Sequence, residues 1–251
     1  MSALFDLSGR TALVTGANTG IGQGICVALA EAGAAIVAAG RSDMSETEAA
    51  VRDAGGRFRA LKADVSAIHT LDPLVEEASA AAPVDVLVNN AGIIRRQDAL
   101  DFTEADWDAV MDVNLKAAFF LSQSVARRAV AAGRRAKIVN IASLLAFQGG
   151  IRVASYTASK HGIAGITKLL ACEWADKGVN VNAIAPGYIE SNNTQALRDD
   201  PVRNADILKR IPAGRWGRPD DIGGAAVFLS SQAADYVHGA IVPVDGGWLA
   251  R

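Results

Sequence analysis

The sequence predicts an α/β protein: a doubly wound parallel sheet of seven strands with helices on both faces. Two observations lead there. Short β-branched or alanine-rich runs alternate with helical stretches along the whole chain, which is the βαβ pattern of a layered sheet. Runs such as VDVLVNN and KIVNIA are apolar without polar alternation, as strands covered on both faces must be. Strands are expected at Thr11 to Thr15, Ala34 to Ala39, Phe58 to Lys62, Val84 to Asn89, Lys137 to Ile141, Val179 to Ile184 and Ile241 to Val244. Helices are expected at Gly20 to Ala32, Ser45 to Ala54, His69 to Ala82, Asp106 to Ala132, Tyr156 to Ala175 and Asp220 to Ser230. Ser45 with Glu48 reads as a capping box, and Thr103 with Asp106 as the start of the long central helix. Tyr188 to Trp216 is polar, carries Pro201 and Pro212, and is the least regular stretch, so residues 188–216 are expected to form a substrate lid. No linker or repeat divides the chain, and one domain over residues 1–251 is the economical reading.

Composition narrows the function. The 25 basic and 27 acidic residues leave a net charge of −2, which gives nucleic acid nothing to hold. Half the residues are apolar and 21% charged, with 24 Gly and 7 Pro, an ordinary globular balance. Asp6 interrupts the stretch where a signal peptide would need its apolar run, and longer apolar runs are broken by charge or glycine. A cytoplasmic protein without a membrane partner is expected. Cys26 and Cys172 are the only cysteines and have no metal-ligand spacing, so no metal is expected.

The first strand runs into Gly16-Ala17-Asn18-Thr19-Gly20-Ile21-Gly22 and then a helix. Glycines there let the backbone approach a pyrophosphate, which the N–H groups and dipole of the helix start would stabilise. The spacing is Gly-x-x-x-Gly-x-Gly, not the Gly-x-Gly-x-x-Gly of the standard dinucleotide fingerprint. Asp64-Val65 and Asn90-Ala91-Gly92 end the third and fourth strands, pointing to the same crevice. Asp64 can accept from an adenine amino group, and Asn90 to Gly92 can line a ribose. Agreement of three strand ends makes this a Rossmann-type nucleotide site. Arg41 follows the second strand, where a cation accommodates a 2′-phosphate, although it could equally stack on the adenine. Asp43 lies two residues further on, and NAD and NADP both remain open here.

Tyr156 and Lys160 are one helical turn apart and share a face. A cation beside the phenol would lower its ordinary pKa of about 10 and make it a usable acid and base. Ser143 follows the fifth strand and can hydrogen-bond a substrate oxygen. Asn114 is a polar amide inside the apolar segment VMDVNLKAAFF and, if buried, needs a partner.

Through TGANTGIG, Asp64-Val65, NNAG, Asn114, Ser143, YTASK and Pro186-Gly187, the whole chain resembles the short-chain dehydrogenase/reductase family. The resemblance implies Asn114, Ser143, Tyr156 and Lys160 as a catalytic tetrad, with Asn114 holding a water in a proton relay. It also implies that Tyr156, Lys160, Pro186, Gly187, Ile189 and Ser191 help bind the dinucleotide. Ser191 and Ala154 stand where the family pattern has Thr and Pro; serine keeps the hydroxyl. The stretches IIRRQDAL, FQGGIRVASYTASK and VDGGWLAR resemble a subgroup of NAD-linked dehydrogenases of keto-deoxy sugar acids, so NAD is the implied cofactor and NADP the alternative that Arg41 suggests.

An anionic sugar acid suits the residues themselves. Arg95, Arg96, Arg152 and Arg215 lie after strand ends or near the lid, among Gln148, Asn192 and Asn193. Guanidinium grips carboxylate bidentately and amides suit hydroxyls. Arg95, Gln148, Arg152 and Asn192 are the candidate substrate contacts. The alternatives are reduction of another carbonyl, either a 3-oxoacyl group, for which a greasier lid would be expected, or another sugar or polyol, and a non-catalytic dinucleotide-binding protein. Phe119 to Leu121, Leu169, Leu170, Trp174 and the terminal Trp248-Leu249-Ala250 supply more apolar surface than one sheet face needs. With the family resemblance, that points to a homotetramer.

Overall fold

The computed structural model describes residues 3–251, in which seven parallel strands form one sheet. They are β1 (Thr11–Thr15), β2 (Ala35–Gly40), β3 (Arg57–Lys62), β4 (Val86–Asn89), β5 (Ala136–Ile141), β6 (Val179–Pro186) and β7 (Ile241–Val244). The helices are α1 (Gly20–Glu31), α2 (Ser45–Asp53), α3 (Leu71–Ala78), α4 (Glu104–Met111), α5 (Ala117–Ala131), α6 (Ala154–Trp174), α7 (Gln195–Arg198), α8 (Pro201–Arg210) and α9 (Asp220–Ser230). Strand order is β3-β2-β1-β4-β5-β6-β7. The order reverses between β1 and β4, and that switch point is where an open α/β sheet places its ligand crevice. All seven expected strands are present, with ends displaced by at most two residues.

β1, β4, β5 and β6 are buried along their whole lengths, which is why their sequences lack alternation. Separate apolar clusters cover the two faces. Ile25, Leu29 and Ile36 belong to one, and Leu13, Leu87 and Ile138 to the other; each fully buried side chain of this size contributes about 1.5–3 kcal/mol. A polar seam crosses this interior: Asn89 Nδ2 donates to Asn140 Oδ1 (2.8 Å), and Asn140 Nδ2 to Thr167 Oγ1 (2.9 Å). Buried amides accept few alternative geometries, so the seam fixes α6 against β4 and β5.

Several local expectations are corrected. Ser45 and Glu48 form no capping box; Ser45 donates its backbone N–H and its hydroxyl to Asp43. Thr103 does cap α4, accepting from Asp106 N at 3.2 Å. The central helix is interrupted by a π-helical turn at Asp112–Lys116, which holds Asn114. The segment 188–216 is more regular than its polarity suggests, because it contains α7 and α8. Asp200 caps α8, accepting from Val202 and Arg203 N, and Pro201 occupies its first turn, a start signal plain in the sequence. Trp248 is no loose apolar end: it is buried and packs against Tyr188 with ring centroids 4.7 Å apart. Among the described residues no helix is long and apolar enough to cross a membrane.

Candidate active site

Two cavities open at the carboxyl ends of the strands and share a wall. The first, about 440 Å³, is lined by the turn Gly16 to Gly22 except Ala17, by Arg41, by Asn90 to Gly92, and by Ile141 to Ser143. Tyr156, Lys160, Pro186, Gly187, Ile189 and Ser191 complete it with Asn192 to Thr194. The second, about 520 Å³, lies under α7 and α8 and includes Arg96, Gln148, Tyr188, Arg203, Arg210 and Trp248. Ser143 and Tyr156 line both.

The first cavity owes its shape to backbone packing. Gly16 has a φ of +63°, and a Cβ there would lie 2.8 Å from Ala91 Cα. A Cβ on Gly22 would lie 2.3 Å from Gly16 O. Gly22 therefore serves the close packing of turn and helix, while Gly20 faces the cavity opposite Ser191. Asn90 Nδ2 donates to Thr15 O (3.0 Å) and Gly16 O (2.9 Å), tying the ends of β1 and β4. Asp64 and Val65, expected at the adenine, do not line the cavity. Val65 is buried in the core, and Asp64 Oδ1 accepts from Ser66 N and Oγ at 3.0 and 2.8 Å. Asp43 is likewise taken up by Ser45, leaving Arg41 as the charged group at this edge; its nearest acid is Asp64 at 3.9 Å.

The catalytic candidates meet where the cavities join. Tyr156 and Lys160 project from α6, and Lys160 Nζ lies 5.4 Å from the Tyr156 ring centre while donating to Ile141 O at 2.6 Å. The expected lowering of Tyr156 does not occur. Burial raises its pKa above the ordinary value, opposed by the Ser143 hydrogen bond and the charge of Arg96. Desolvation takes Lys160 down to about 8, so burial dominates both groups and Lys160 is not among the causes acting on Tyr156. Asn114 lines neither cavity. It sits behind the site, its Oδ1 accepting from Ile93 N (2.8 Å) and its Nδ2 donating to Ile93 O (3.0 Å) and Ser159 Oγ (3.2 Å). The π-turn thus aims an amide that clamps the loop after β4 to α6, beside Lys160.

The expected substrate residues divide. Gln148 lines the second cavity and accepts from Trp248 Nε1 at 3.2 Å. Arg96, also there, donates to Asn193 O at 3.3 Å. Arg95 does not reach it, being paired with Asp106 at 3.2 Å. Arg152, at a φ of +61°, leans toward Asp98 at 3.6 Å. Arg215 forms a two-pronged pair with Asp221 (2.7 and 2.9 Å), holding that carboxyl at about 2. Asn192 lines the first cavity only. Arg203 and Arg210 were not expected; with Ile207 they occupy one face of α8 by their i, i+4, i+7 spacing, a signal available once the segment is read as a helix. The cavity is also less polar than the lid sequence suggests, because Leu144, Leu145, Leu197 and Ile207 form an apolar wall.

A family model described as Enoyl-(Acyl carrier protein) reductase matches residues 16–249. The 2-dehydro-3-deoxy-D-gluconate 5-dehydrogenase of Dickeya dadantii is 58% identical over 98% of both chains. The chain is a short-chain dehydrogenase/reductase. The Escherichia coli 2-dehydro-3-deoxy-D-gluconate 5-dehydrogenase is a relative of this short-chain enzyme at 55% identity over 98% of both chains. A crystal structure of a candidate 2-deoxy-D-gluconate 3-dehydrogenase from Agrobacterium tumefaciens, with bound NADP, superposes with a TM-score of 0.93 at 64% identity over 99% of both chains.

Proposed function

We propose that this short-chain dehydrogenase/reductase is an oxidoreductase that exchanges a hydride between a nicotinamide dinucleotide and a keto-deoxy sugar acid. The observation that carries the reading is the shared wall: one cavity built like a dinucleotide cradle and one lined by arginines and amides meet at Ser143 and Tyr156. The names of the similar proteins agree with it.

The glycine turn fits the cofactor, with backbone rather than side chains facing the pyrophosphate position at the start of α1. When bound, the dinucleotide supplies or accepts the hydride. In the reducing direction Tyr156 gives its proton to the carbonyl oxygen, and Ser143 hydrogen-bonds the same oxygen. Burial pushes the Tyr156 pKa up; the phenol holds its proton at neutral pH with or without that shift. Lys160 contributes positive charge on the cofactor side, and Asn114 positions α6. We assign Arg41 to the 2′-phosphate of NADP, since Asp43 is hydrogen-bonded to Ser45 and Arg41 borders the cavity. Arg41→Ala should then lower kcat/KM for NADP relative to NAD by about 10-fold or more; an unchanged ratio removes that role.

Residues 188–216 act as the lid through α7 and α8. We also read the apolar surface of α5 and α6, where Phe120, Val130 and Leu169 remain exposed, as part of a homotetramer interface; a monomer by light scattering would refute this.

The functional test follows reduced-nicotinamide absorbance during turnover of a keto-deoxy sugar acid and of a 3-oxoacyl thioester. Preference for the sugar acid is expected. Preference for the thioester would overturn the reading.

A further inference from the structure

We propose that Arg203, on α8, holds the carboxylate of the substrate and sets the preference for an acid over a neutral sugar. The inference rests on the sugar-acid reading above. Three guanidinium groups, Arg96, Arg203 and Arg210, and one carboxylate, Asp206, line the second cavity. Two of the cations are already engaged. Arg210 lies over the Trp248 ring, 4.1 Å from its centre, and Arg96 donates to Asn193 O.

Arg203 differs from both. Its backbone N–H donates to Asp200 at 3.1 Å, whereas its guanidinium has no hydrogen bond or ion pair among the described residues. Asp206 does not neutralise it; the cation that Asp206 pairs with is Lys209, at 3.9 Å. A free five-donor fork at a cavity wall suits a planar carboxylate.

Position along the cavity separates the arginines as well. Arg96 donates to Asn193 O, and Asn193 lines both cavities, whereas Arg203 stands on α8 and lines the second cavity only. Arg96 is therefore tied to the wall that the two cavities share, and Arg203 belongs to the α8 side. In a keto-deoxy hexonic acid reduced remote from C1, the carboxylate lies several bonds from the reacting carbonyl. A molecule with its ketone at Tyr156 presents its charged end to Arg203.

The test compares Arg203→Gln, Arg203→Lys and Arg96→Gln with the wild-type enzyme. Each is assayed on a keto-deoxy hexonic acid and on the analogue with CH2OH in place of the carboxylate. A contact made equally in ground and transition states falls on KM. Arg203→Gln should raise KM for the acid about 10-fold or more, with kcat within about 2-fold, and leave the alcohol and the dinucleotide Kd unchanged. Arg203→Lys should recover part of the loss, keeping charge without the fork. If Arg203→Gln keeps the wild-type preference, or weakens acid and alcohol alike, the assignment to Arg203 is overturned while the sugar-acid reading stands. If the wild-type enzyme itself shows no preference for the acid, the sugar-acid reading falls and this inference with it.

Discussion

The two cavities are built by different means. The dinucleotide side is shaped by main chain: a glycine turn at the end of β1, pressed against the end of β4 and tied to it by Asn90. The substrate side is shaped by side chains on α7, α8 and the loop after β5, with Tyr188 and Trp248 in its wall and Trp216 packed behind Tyr188. A backbone cradle tolerates almost no added volume, whereas a side-chain cavity can be changed one contact at a time. This difference lets one cofactor site serve a family of enzymes while specificity varies beside it.

Glycine substitutions test that contrast most severely. A Cβ on Gly22 would meet Gly16 O and Asn90 Nδ2 at 2.3 and 2.5 Å, while one on Gly149, in the other cavity wall, meets nothing within 4 Å. Gly22→Ala should cost about 2–3 kcal/mol in chemical denaturation and weaken dinucleotide binding. Gly149→Ala should stay within about 0.5 kcal/mol. Equal effects would break the comparison.

Lys160 belongs to the cofactor side and carries a measurable cost. Its pKa falls from 10.5 unfolded to about 8 folded, so the unfolded chain binds more protons between those values. Stability from this group is therefore greatest above 10.5 and is lost as pH falls through about 8. The total is about 3 kcal/mol. Between about pH 7 and about pH 10, the wild-type protein should gain stability relative to Lys160→Met. A pH-independent difference would mean that Lys160 is not desolvated.

The smallest effects are expected at Arg95 and Arg152, which face Asp106 and Asp98 instead of the substrate cavity. Arg95→Ala and Arg152→Ala should each change kcat/KM for the sugar acid by less than about 3-fold. A 10-fold loss in either would sharpen the map by moving the substrate toward the loop after β4.

The same contrast explains what could be read in advance. Unalternating strands, the glycine turn and the Tyr156–Lys160 pair are local patterns, so the sheet and the cofactor side were legible. Asp64 and Val65 end the third strand as their position suggests, but position does not show that Ser66 bonds Asp64 Oδ1 or that Val65 packs into the core. Spacing reveals the charge beside Tyr156 and not the desolvation that raises its pKa. Arg203 and Arg210 lie on α8, whose polar sequence conceals a helix although Asp200 and Pro201 announce its start. The orientation of Arg95 and Arg152 depends on acids brought close only by folding.

The central claim is that chemistry occurs at Tyr156, in the wall the two cavities share. Tyr156→Phe tests it most directly, with kcat measured by reduced-nicotinamide absorbance and dinucleotide Kd measured separately by fluorescence titration. The account predicts a kcat at least about 10²-fold lower with dinucleotide Kd nearly unchanged. A variant retaining near-normal kcat would contradict it.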